Sequence, residues 1–317
     1  MLRSARFIWL LLPVLMFACA EEAPPEPVQE ATSLFGMPLY RPVPTGEQAS
    51  ALHENLAVAQ EAYDANPNDA DAIIWLGRRT AYQWRYQDAI SIYTDGLSKH
   101  PEDARLYRHR GHRYISLRNF DAAIADYTRA VGLIEGTPDE IEPDGQPNAA
   151  GQPRSTLHTN IYYHLGLAHY LKGEFEQALD AYQKCLAAST NDDMYIATAD
   201  WLYMTLRRLG RDEEAAAVLE PIHAEMDILE NTSYLRRLLM YKGELTPDEL
   251  MAVEEGEDAD LTFATQGYGV GNWYLYNGDR EQAQAIFERV VAGEYWAAFG
   301  YLAAEADLLR MQREVPA

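Results

Sequence analysis

The sequence is poor in features that would cross-link it or hold it permanently in a membrane. It contains two cysteines in 317 residues, Cys19 and Cys185, which are too few for a disulfide framework. The twelve apolar residues at 7–18 would span about 18 Å as a helix, well short of the roughly 30 Å hydrocarbon core of a bilayer. A permanent transmembrane anchor is therefore the weaker interpretation of this run. We expect Cys185 to be a packed, free thiol.

Positive charge is also scarce. Lysine and arginine number 26 against 49 aspartate and glutamate residues, which gives a formal net charge of -23 at pH 7. A surface with this balance repels nucleic acid and anionic membranes. We therefore predict no nucleic-acid partner.

Sequence motifs of catalysis are missing as well. The chain has no Gly-x-Ser-x-Gly, no HExxH and no Gly-Lys-Ser/Thr phosphate loop. Four histidines occur in two close pairs, His109 with His112 and His164 with His169, whereas zinc needs three or four converging ligands. We predict a non-catalytic protein without cofactor or metal. An enzyme or metal-dependent protein that uses this histidine cluster remains the alternative.

What the sequence does have is a period of 34 residues between positions 70 and 134. Small residues, aromatic residues and a turn proline recur at this spacing. The matched pairs are Gly77 and Gly111, Tyr86 and Phe120, Ala89 and Ala123, Ile90 and Ile124, Tyr93 and Tyr127, and Pro67 and Pro101. We expect the small residues where two antiparallel helices approach closely, because a larger side chain there would push the helices apart.

This pattern resembles the tetratricopeptide repeat (TPR), a pair of helices repeated every 34 residues. The resemblance covers about three quarters of the chain and is most specific in the first three repeats. It implies an all-α fold without a sheet, in which a helical-hairpin solenoid coils into a right-handed superhelix closed by capping helices. It also implies a protein-binding adaptor or scaffold.

The repeat spacing sets the predicted domain boundaries. The solenoid spans 48–313, and the 21 residues at 135–155, rich in proline, glycine and acids, form a loop insertion. In chain order the units are a half repeat at 48–67, repeats at 70–103, 104–135, 159–192 and 196–229, a degenerate repeat at 230–263, a repeat at 264–297 and a cap helix at 295–313. We expect the cap helix to bury its apolar face and to turn Glu305, Asp307 and Arg310 toward water.

The N-terminus resembles a bacterial export signal. Two arginines precede the apolar run, and residues 15–19 resemble a lipobox, whose cysteine becomes the lipidated first residue of the mature protein. The resemblance implies a signal peptide at 1–18 and lipidation of Cys19, with ordinary signal cleavage as the alternative. The layout is similar to that of TPR lipoproteins of the Gram-negative envelope. It implies a lipid-anchored protein of the cell envelope, at the outer membrane and facing the periplasm.

Residues 19–47 read as a Pro-rich, acidic tether between the anchor and the solenoid. This segment also contains an apolar cluster that is unusual in a free linker. Its members are Leu34, Phe35, Met37, Leu39 and Tyr40. We expect part of the cluster to dock on the solenoid.

The stretch 78–118 reverses the charge of the chain, with nine lysines and arginines against four acids. In the TPR family the first helix of each repeat lines a concave groove. The resemblance places these residues there: Arg78, Tyr82, Arg105, Arg108, His109, His112, Asn160, Tyr163 and Tyr170. The guanidinium group of arginine can bind a carboxylate through two parallel hydrogen bonds, and the tyrosine ring supplies rigid apolar contact area. We therefore predict a protein or peptide partner with an acidic or C-terminal segment. The alternative is that the arginines pair with acids of the solenoid, as we expect for Arg79 and Arg113.

The loop at 135–155 carries acids of its own, at 139–144. We hypothesise that this segment partly covers the basic groove as an internal competitor, because tethering gives it a high effective concentration. The alternative is a solvated loop that never touches the arginines.

Overall fold

The computed structural model describes residues 27–252 and 259–314 of the chain. The predicted signal peptide at 1–18 and the predicted lipidation site Cys19 lie outside the described residues. Within the described ranges, no helix is both long and apolar enough to cross a membrane.

The helices follow one another as hairpins with short connections. A single helix, α1 (Gly46–Ala65), comes first. The hairpins are α2 (Ala70–Tyr82) with α3 (Tyr86–Lys99), α4 (Ala104–Ser116) with α5 (Phe120–Ile134), α6 (Leu157–Lys172) with α7 (Phe175–Ala188), α8 (Asp192–Arg208) with α9 (Asp212–Leu219), and α10 (Thr232–Lys242) with α11 (Pro247–Met251). They are followed by α12 (Ala259–Thr262), a π-helical turn (Phe263–Gly267), α13 (Tyr268–Tyr276), α14 (Arg280–Val291) and α15 (Phe299–Glu314). The predicted all-α solenoid of helical hairpins is confirmed.

A glycine in the first helix of a hairpin lets the second helix approach. A Cβ built on Gly77 would overlap the Tyr93 ring, and a Cβ built on Gly166 would lie 2.7 Å from Tyr182 Cε1. The same contact joins Gly111 to Tyr127 and Gly271 to Phe287. The small residues therefore lie where the helices are closest, as the repeat pattern predicts.

The closing helix α15 does not end the solenoid with a polar face toward water. It packs against α6, α13 and α14, and its middle turns are buried. The prediction that Glu305 and Asp307 face water is wrong, because their side chains are 1% and 0% exposed. Glu305 pairs with Arg118, while Asp307 pairs with Arg208 and with Arg310, itself partly buried. The polar face of the helix thus meets buried arginines, so the helix can be enclosed on all sides.

The turn inside each hairpin places one residue in the left-handed region of φ. The later hairpins use glycines there: Gly173, Gly210, Gly243 and Gly278. The first two hairpins use Trp84 (φ 59°) and Arg118 (φ 64°) instead, at a cost in backbone strain. Both side chains contact Trp296: the Trp84 ring centroid lies 5.0 Å from the Trp296 ring, and Arg118 Cζ lies 5.3 Å from it. These two turns therefore carry side chains that hold the segment before α15.

Residues 29–40 form a small antiparallel hairpin of β1 (Gln29–Thr32) and β2 (Pro38–Tyr40). The predictions of an extended tether and of a fold without a sheet are wrong for this segment. Its apolar residues and main chain dock on the closing segment: Leu34 N donates to Glu305 Oε1 at 2.9 Å, and Trp296 Nε1 donates to Tyr40 O at 2.7 Å. Leu34 and Leu39 pack against the core, which confirms the expected docking of part of the apolar cluster.

Cys185 is a free, buried thiol in α7, as expected. Its Sγ lies 3.1 Å from Thr198 Oγ1 and donates to Thr159 O at 3.4 Å. Burial raises the pKa of this thiol to about 12, so it stays protonated at neutral pH.

Candidate partner-binding cavity

The first helices of the hairpins enclose a cavity of about 300 Å³, which we call the central cavity. Its walls come mainly from α2, α4, α6 and α8, with single residues from α3, from the end of the loop at 135–155 and from the start of α15, and with the segment before α10 and the first turn of α10. Seven of the nine predicted groove residues line it: Arg78, Tyr82, Arg108, His109, His112, Asn160 and Tyr163. The fold thus brings these side chains together, and their role in binding a partner stays a prediction.

Arg105 and Tyr170 do not belong to the central cavity. Arg105 is bound by acids on the outside of the solenoid, with Nη1 2.6 Å from Asp71 Oδ1 and Nη2 2.6 Å from Asp103 Oδ2. For Arg105, pairing with acids of the solenoid is therefore the correct interpretation. Tyr170 is fully buried, and its hydroxyl accepts hydrogen bonds from Tyr268 Oη at 2.6 Å and Asn272 Nδ2 at 3.1 Å. The side chains of Tyr268 and Asn272, from α13, thus cover this position, which the repeat pattern places in an open groove.

The loop at 135–155 contacts the basic side of the central cavity. Arg78 Nη1 donates to Pro143 O at 2.8 Å. Arg108 Nε lies 3.0 Å from Glu142 Oε2, an ion pair whose N–H does not point along a hydrogen bond. Asn160 Nδ2 donates to the same carboxylate oxygen at 3.1 Å. The loop is therefore not a solvated segment clear of the arginines.

Among the described residues, Arg79 and Arg113 pair with no acid, contrary to expectation. Arg79 Nη1 donates to Gly145 O at 2.8 Å, and its guanidinium lies over the Trp75 ring. The Arg113 guanidinium lies over the Tyr86 ring, 5.1 Å from its centroid, and among the described residues no carboxylate is within ion-pair distance of it. Arg113 also lines the central cavity, so its charge is available to a ligand.

Three of the four histidines meet at the cavity. The His112 and His164 rings lie 4.6 Å apart, and His109 Nδ1 lies 3.1 Å from Arg108 Nη1. Burial, reinforced by neighbouring arginines, lowers the pKa of His109 and of His112 well below the usual value and that of His164 to about 3. At neutral pH all three rings are uncharged.

The histidines do not form a metal centre with the fourth member of the predicted cluster. His169 Nδ1 binds Glu174 Oε2 at 2.7 Å, outside the central cavity. Throughout the described ranges, no group of three or more His, Cys, Asp or Glu side chains is arranged to hold a metal ion. The guanidinium charges beside the histidines also oppose a cation and favour an anion.

The second half of the chain supplies a wall that the repeat pattern did not predict. Asp193 is fully buried and accepts hydrogen bonds from the backbone N–H groups of Leu229, Glu230 and Asn231, at 2.9 to 3.0 Å. These bonds hold the segment before α10 at the cavity, where Glu230 and Asn231 line it together with Tyr234 and Phe299. An aspartate in the first turn of α8 was the available signal, but it resembles an ordinary helix start in the sequence.

The fold and the cavity define the class of protein: a helical-hairpin solenoid with a basic, aromatic cavity on its inner helices. Two family models described as tetratricopeptide repeat match the sequence, at residues 76–140 and 159–189. The first match covers the hairpin helices α3 to α5, and the second covers most of α6 with α7. The chain is a tetratricopeptide repeat protein.

Curated relatives are similar to parts of the chain. BBSome complex member BBS4 of Bos taurus is 22% identical over 181 residues, which are 57% of this chain and 31% of that protein. Hsp70-Hsp90 organizing protein of Triticum aestivum is 26% identical over 133 residues, 42% of this chain and 19% of that protein. Small glutamine-rich tetratricopeptide repeat-containing protein 2 of Saccharomyces cerevisiae is 30% identical over 117 residues, which are 37% of this chain and 28% of that protein. The chain thus spans less than a third of the length of each.

Solved structures with a similar repeat arrangement include MamA and YrrB. One MamA structure has 16% sequence identity and a TM-score of 0.42, and the alignment covers 64% of this chain and 100% of that chain. YrrB, described as a TPR protein with an unusual peptide-binding site, has 15% identity and a TM-score of 0.41 over 80% of this chain and 97% of that chain.

Proposed function

We propose that the protein is a non-catalytic, protein-binding adaptor that holds an acidic or C-terminal segment of its partner at the central cavity. The observation that carries this proposal is the convergence of Arg78, Arg108 and Arg113 on one cavity in a chain of net charge -23. Guanidinium groups bind carboxylates through two parallel hydrogen bonds. Because most of the surface repels acidic ligands, a basic cavity gives such a ligand one preferred place to bind.

The size and the walls of the cavity favour a short part of a peptide. A volume of about 300 Å³ is at the lower end of ligand pockets and accommodates one or two side chains. Tyr82, Tyr163, Tyr234 and Phe299 give it rigid aromatic walls. Rigid aromatic area beside arginine is the usual composition of the residues that dominate protein interfaces.

Family similarity supports a protein as the partner. One relative is named as an organizing protein for Hsp70 and Hsp90, and the repeat matches of this chain fall on the helices that line the cavity. The alternative, an enzyme or a metal-dependent protein built on the histidines, is less well supported. The guanidinium groups beside its three central histidines oppose a cation, and among the described residues no group of three or more His, Cys, Asp or Glu side chains is arranged to hold a metal ion.

We also propose that the adaptor is anchored to a bacterial envelope membrane through lipid on Cys19, at the outer membrane and facing the periplasm. The motif at 15–19 supports this proposal. Cys19 and Pro27 are eight positions apart in the sequence, and an extended segment of that length reaches at most about 30 Å. The first described segment exposes Val28, Met37 and Val43, whose apolar side chains suit a position close to a membrane.

Affinity capture from envelope extracts tests the adaptor function. Wild-type protein is compared with the double variant Arg108→Ala/Arg113→Ala and with Arg129→Ala, which removes an exposed arginine outside the central cavity. We expect a partner that the wild type and Arg129→Ala retain and that the double variant loses at equal helix content by circular dichroism. Equal recovery of partners by all three proteins would contradict the proposal.

Mass spectrometry of the mature N-terminus tests the anchor. A diacylated or triacylated Cys19 is the expected result. A mature chain that begins with an unacylated residue would rule out the lipoprotein and leave the adaptor proposal intact.

A further inference from the structure

The loop at 135–155 is fixed beside the central cavity by a short antiparallel pairing. Glu142 N donates to Ser155 O at 3.0 Å, and Leu157 N donates to Glu140 O at 2.9 Å. These bonds join the outgoing and returning parts of the loop just before α6. They place the carboxylate of Glu142 between Arg108 and Asn160, where it is buried.

The polar contacts of residues 140–145 with α2, α4 and α6 run in one direction: these residues supply acceptors, and the helices supply the positive or donating groups. Farther along the loop the direction is reversed, since Asn148 Nδ2 donates to Glu230 Oε1 and Arg154 pairs with Asp193 of α8. The acceptors are the carboxylate of Glu142 and the main-chain carbonyls of Pro143 and Gly145, and the partners are Arg78, Arg79, Arg108 and Asn160. A peptide from another protein would be held in the same way, because two of the three acceptors are main-chain groups that any sequence provides.

The loop also fits the site imperfectly. Ile141 is 65% exposed, so the loop contributes no apolar anchor at this position. Asp144 Oδ2 is buried without a hydrogen-bond partner, and burial raises the pKa of this carboxyl group. An unsatisfied buried oxygen costs free energy, so a ligand that satisfies its equivalent would bind better than the loop.

We propose that residues 140–145 are an internal ligand of the central cavity and that the partner presents the same pattern: one carboxylate side chain followed by a turn with free main-chain carbonyls. This inference rests on the proposed function, and it adds the chemistry of the partner and the means by which the site is kept closed. The carboxylate of the partner takes the place of Glu142 on Arg108 and Asn160. The two main-chain carbonyls that follow take the place of those on Arg78 and Arg79.

The fraction of time that the loop occupies the site determines how much it weakens the binding of a partner. A segment tethered by a short loop acts at an effective concentration in the millimolar range, so even a weak contact is populated. If the loop occupies the site about 90% of the time, it weakens the apparent affinity of a partner about tenfold. Removal of the Glu142 carboxylate should therefore restore most of the affinity for a partner that the loop takes away.

The probe is the loop itself, as an acetylated and amidated fluorescent peptide with the sequence of residues 139–146, Asp-Glu-Ile-Glu-Pro-Asp-Gly-Gln. Its affinity is measured by fluorescence anisotropy for full-length wild type, for Glu142→Gln and for Glu142→Ala. Glu140→Ala is the matched control, since it removes one acid from the same loop at an exposed side chain. A second control is the same peptide with glutamine in the place of Glu142.

We expect peptide binding to both Glu142 variants about tenfold tighter than to wild type, with Glu140→Ala like wild type. The gain should shrink as salt rises, and Arg108→Ala in the Glu142→Gln background should abolish it. The glutamine peptide should bind weakly to all proteins. Equal peptide affinity for wild type, Glu142→Gln and Glu140→Ala would overturn the proposal, as would binding that does not depend on Arg108.

The two proposals fail separately. If the peptide affinities are equal while the Arg108→Ala/Arg113→Ala variant still loses its captured partner, the internal ligand is wrong and the adaptor function stands. If the peptide behaves as expected while capture does not depend on these arginines, the cavity takes its own loop only. The partner then binds elsewhere on the protein.

Discussion

Arg118 and Glu305 form an ion pair of 3.0 Å between side chains that are 3% and 1% exposed, although 187 positions separate them in the sequence. Arg118 also donates to Trp296 O at 2.8 Å, and Glu305 accepts a hydrogen bond from Leu34 N at 2.9 Å. One buried pair therefore joins the second hairpin, the closing segment and the N-terminal β-hairpin. These parts of the chain hold one another in place around the inner helices.

We predict that Glu305→Ala lowers the free energy of unfolding by about 3–5 kcal/mol, because it leaves the Arg118 guanidinium buried without its carboxylate. Urea denaturation followed by circular dichroism measures the change. Asp180→Ala is the control, since it breaks the exposed pair with Lys184. A loss for Glu305→Ala no larger than that for the control would show that the closing segment is not held by this pair. The double variant Arg118→Leu/Glu305→Leu should recover part of the loss, because no charge is then left unpaired.

Trp84 provides a prediction in which the sign of the effect changes. Trp84→Gly relieves roughly 1 kcal/mol of left-handed backbone strain but removes the ring contact with Trp296. In the wild-type background we expect a net loss of about 1–3 kcal/mol in the free energy of unfolding. In a Trp296→Ala background the contact is already gone, and the same change should be neutral or stabilising. Equal destabilisation in both backgrounds would mean that Trp84 acts without Trp296.

Short-range features of this fold could be predicted because they repeat. Gly77 with Tyr93 and Gly166 with Tyr182 show the same spacing, and each contact lies within one hairpin, so the sequence alone defines it. The convergence of Arg78, Arg108 and Asn160 followed from the same periodicity. Successive first helices stack in register, so the groove-facing positions of neighbouring repeats, here the ninth, fifth and second, meet at one inner surface.

Contacts between distant segments could not be predicted in this way. Asp307 lies on what looks like the polar face of an amphipathic helix, and nothing near it in sequence shows that Arg208 would pair with it 99 residues away. The repeat pattern places Tyr170 in an open groove, but α13 covers it through Tyr268. A solenoid that folds its last helix back onto its inner surface breaks the rule that each repeat contacts only its neighbours. For Glu305 the available signal was the charge excess at 78–118, which includes Arg118, since a buried arginine needs a buried acid.

The glycine contacts predict opposite effects at two helical positions. Gly166→Ala should destabilise the protein by about 1–3 kcal/mol, because the new Cβ would lie 2.7 Å from Tyr182 Cε1. Gly132→Ala, in the second helix of its hairpin, meets nothing within 4 Å and should stabilise by up to about 1 kcal/mol through helix propensity. Thermal and urea denaturation of both variants checks the pair. A Gly166→Ala protein as stable as wild type would contradict the close approach of α6 and α7.

From the buried histidines we predict that the free energy of unfolding falls as the pH is lowered below about 6.5. Because burial lowers the pKa of His164 to about 3 in the folded state, the unfolded chain takes up a proton on this ring first. The stability that a neutral His164 contributes is therefore complete above pH 6.5 and is lost as the pH falls from there toward the folded value. Each such histidine steepens the loss by about 1.4 kcal/mol per pH unit, and His109 and His112 act in the same direction.

The measurement is the free energy of unfolding in urea at several pH values between 6.5 and 5, where exposed carboxylates of ordinary pKa stay mostly ionised. His164→Leu should reduce the slope of the free energy of unfolding against pH by the contribution of one histidine, roughly 1.4 kcal/mol per pH unit. This holds whatever the substitution does to stability at pH 7. His53→Leu serves as the control, because it removes an exposed histidine that lies outside the central cavity. If His164→Leu and His53→Leu give the wild-type slope, then His164 titrates normally in the folded protein. The arginine-lined cavity would then be open enough to water for its histidines to charge.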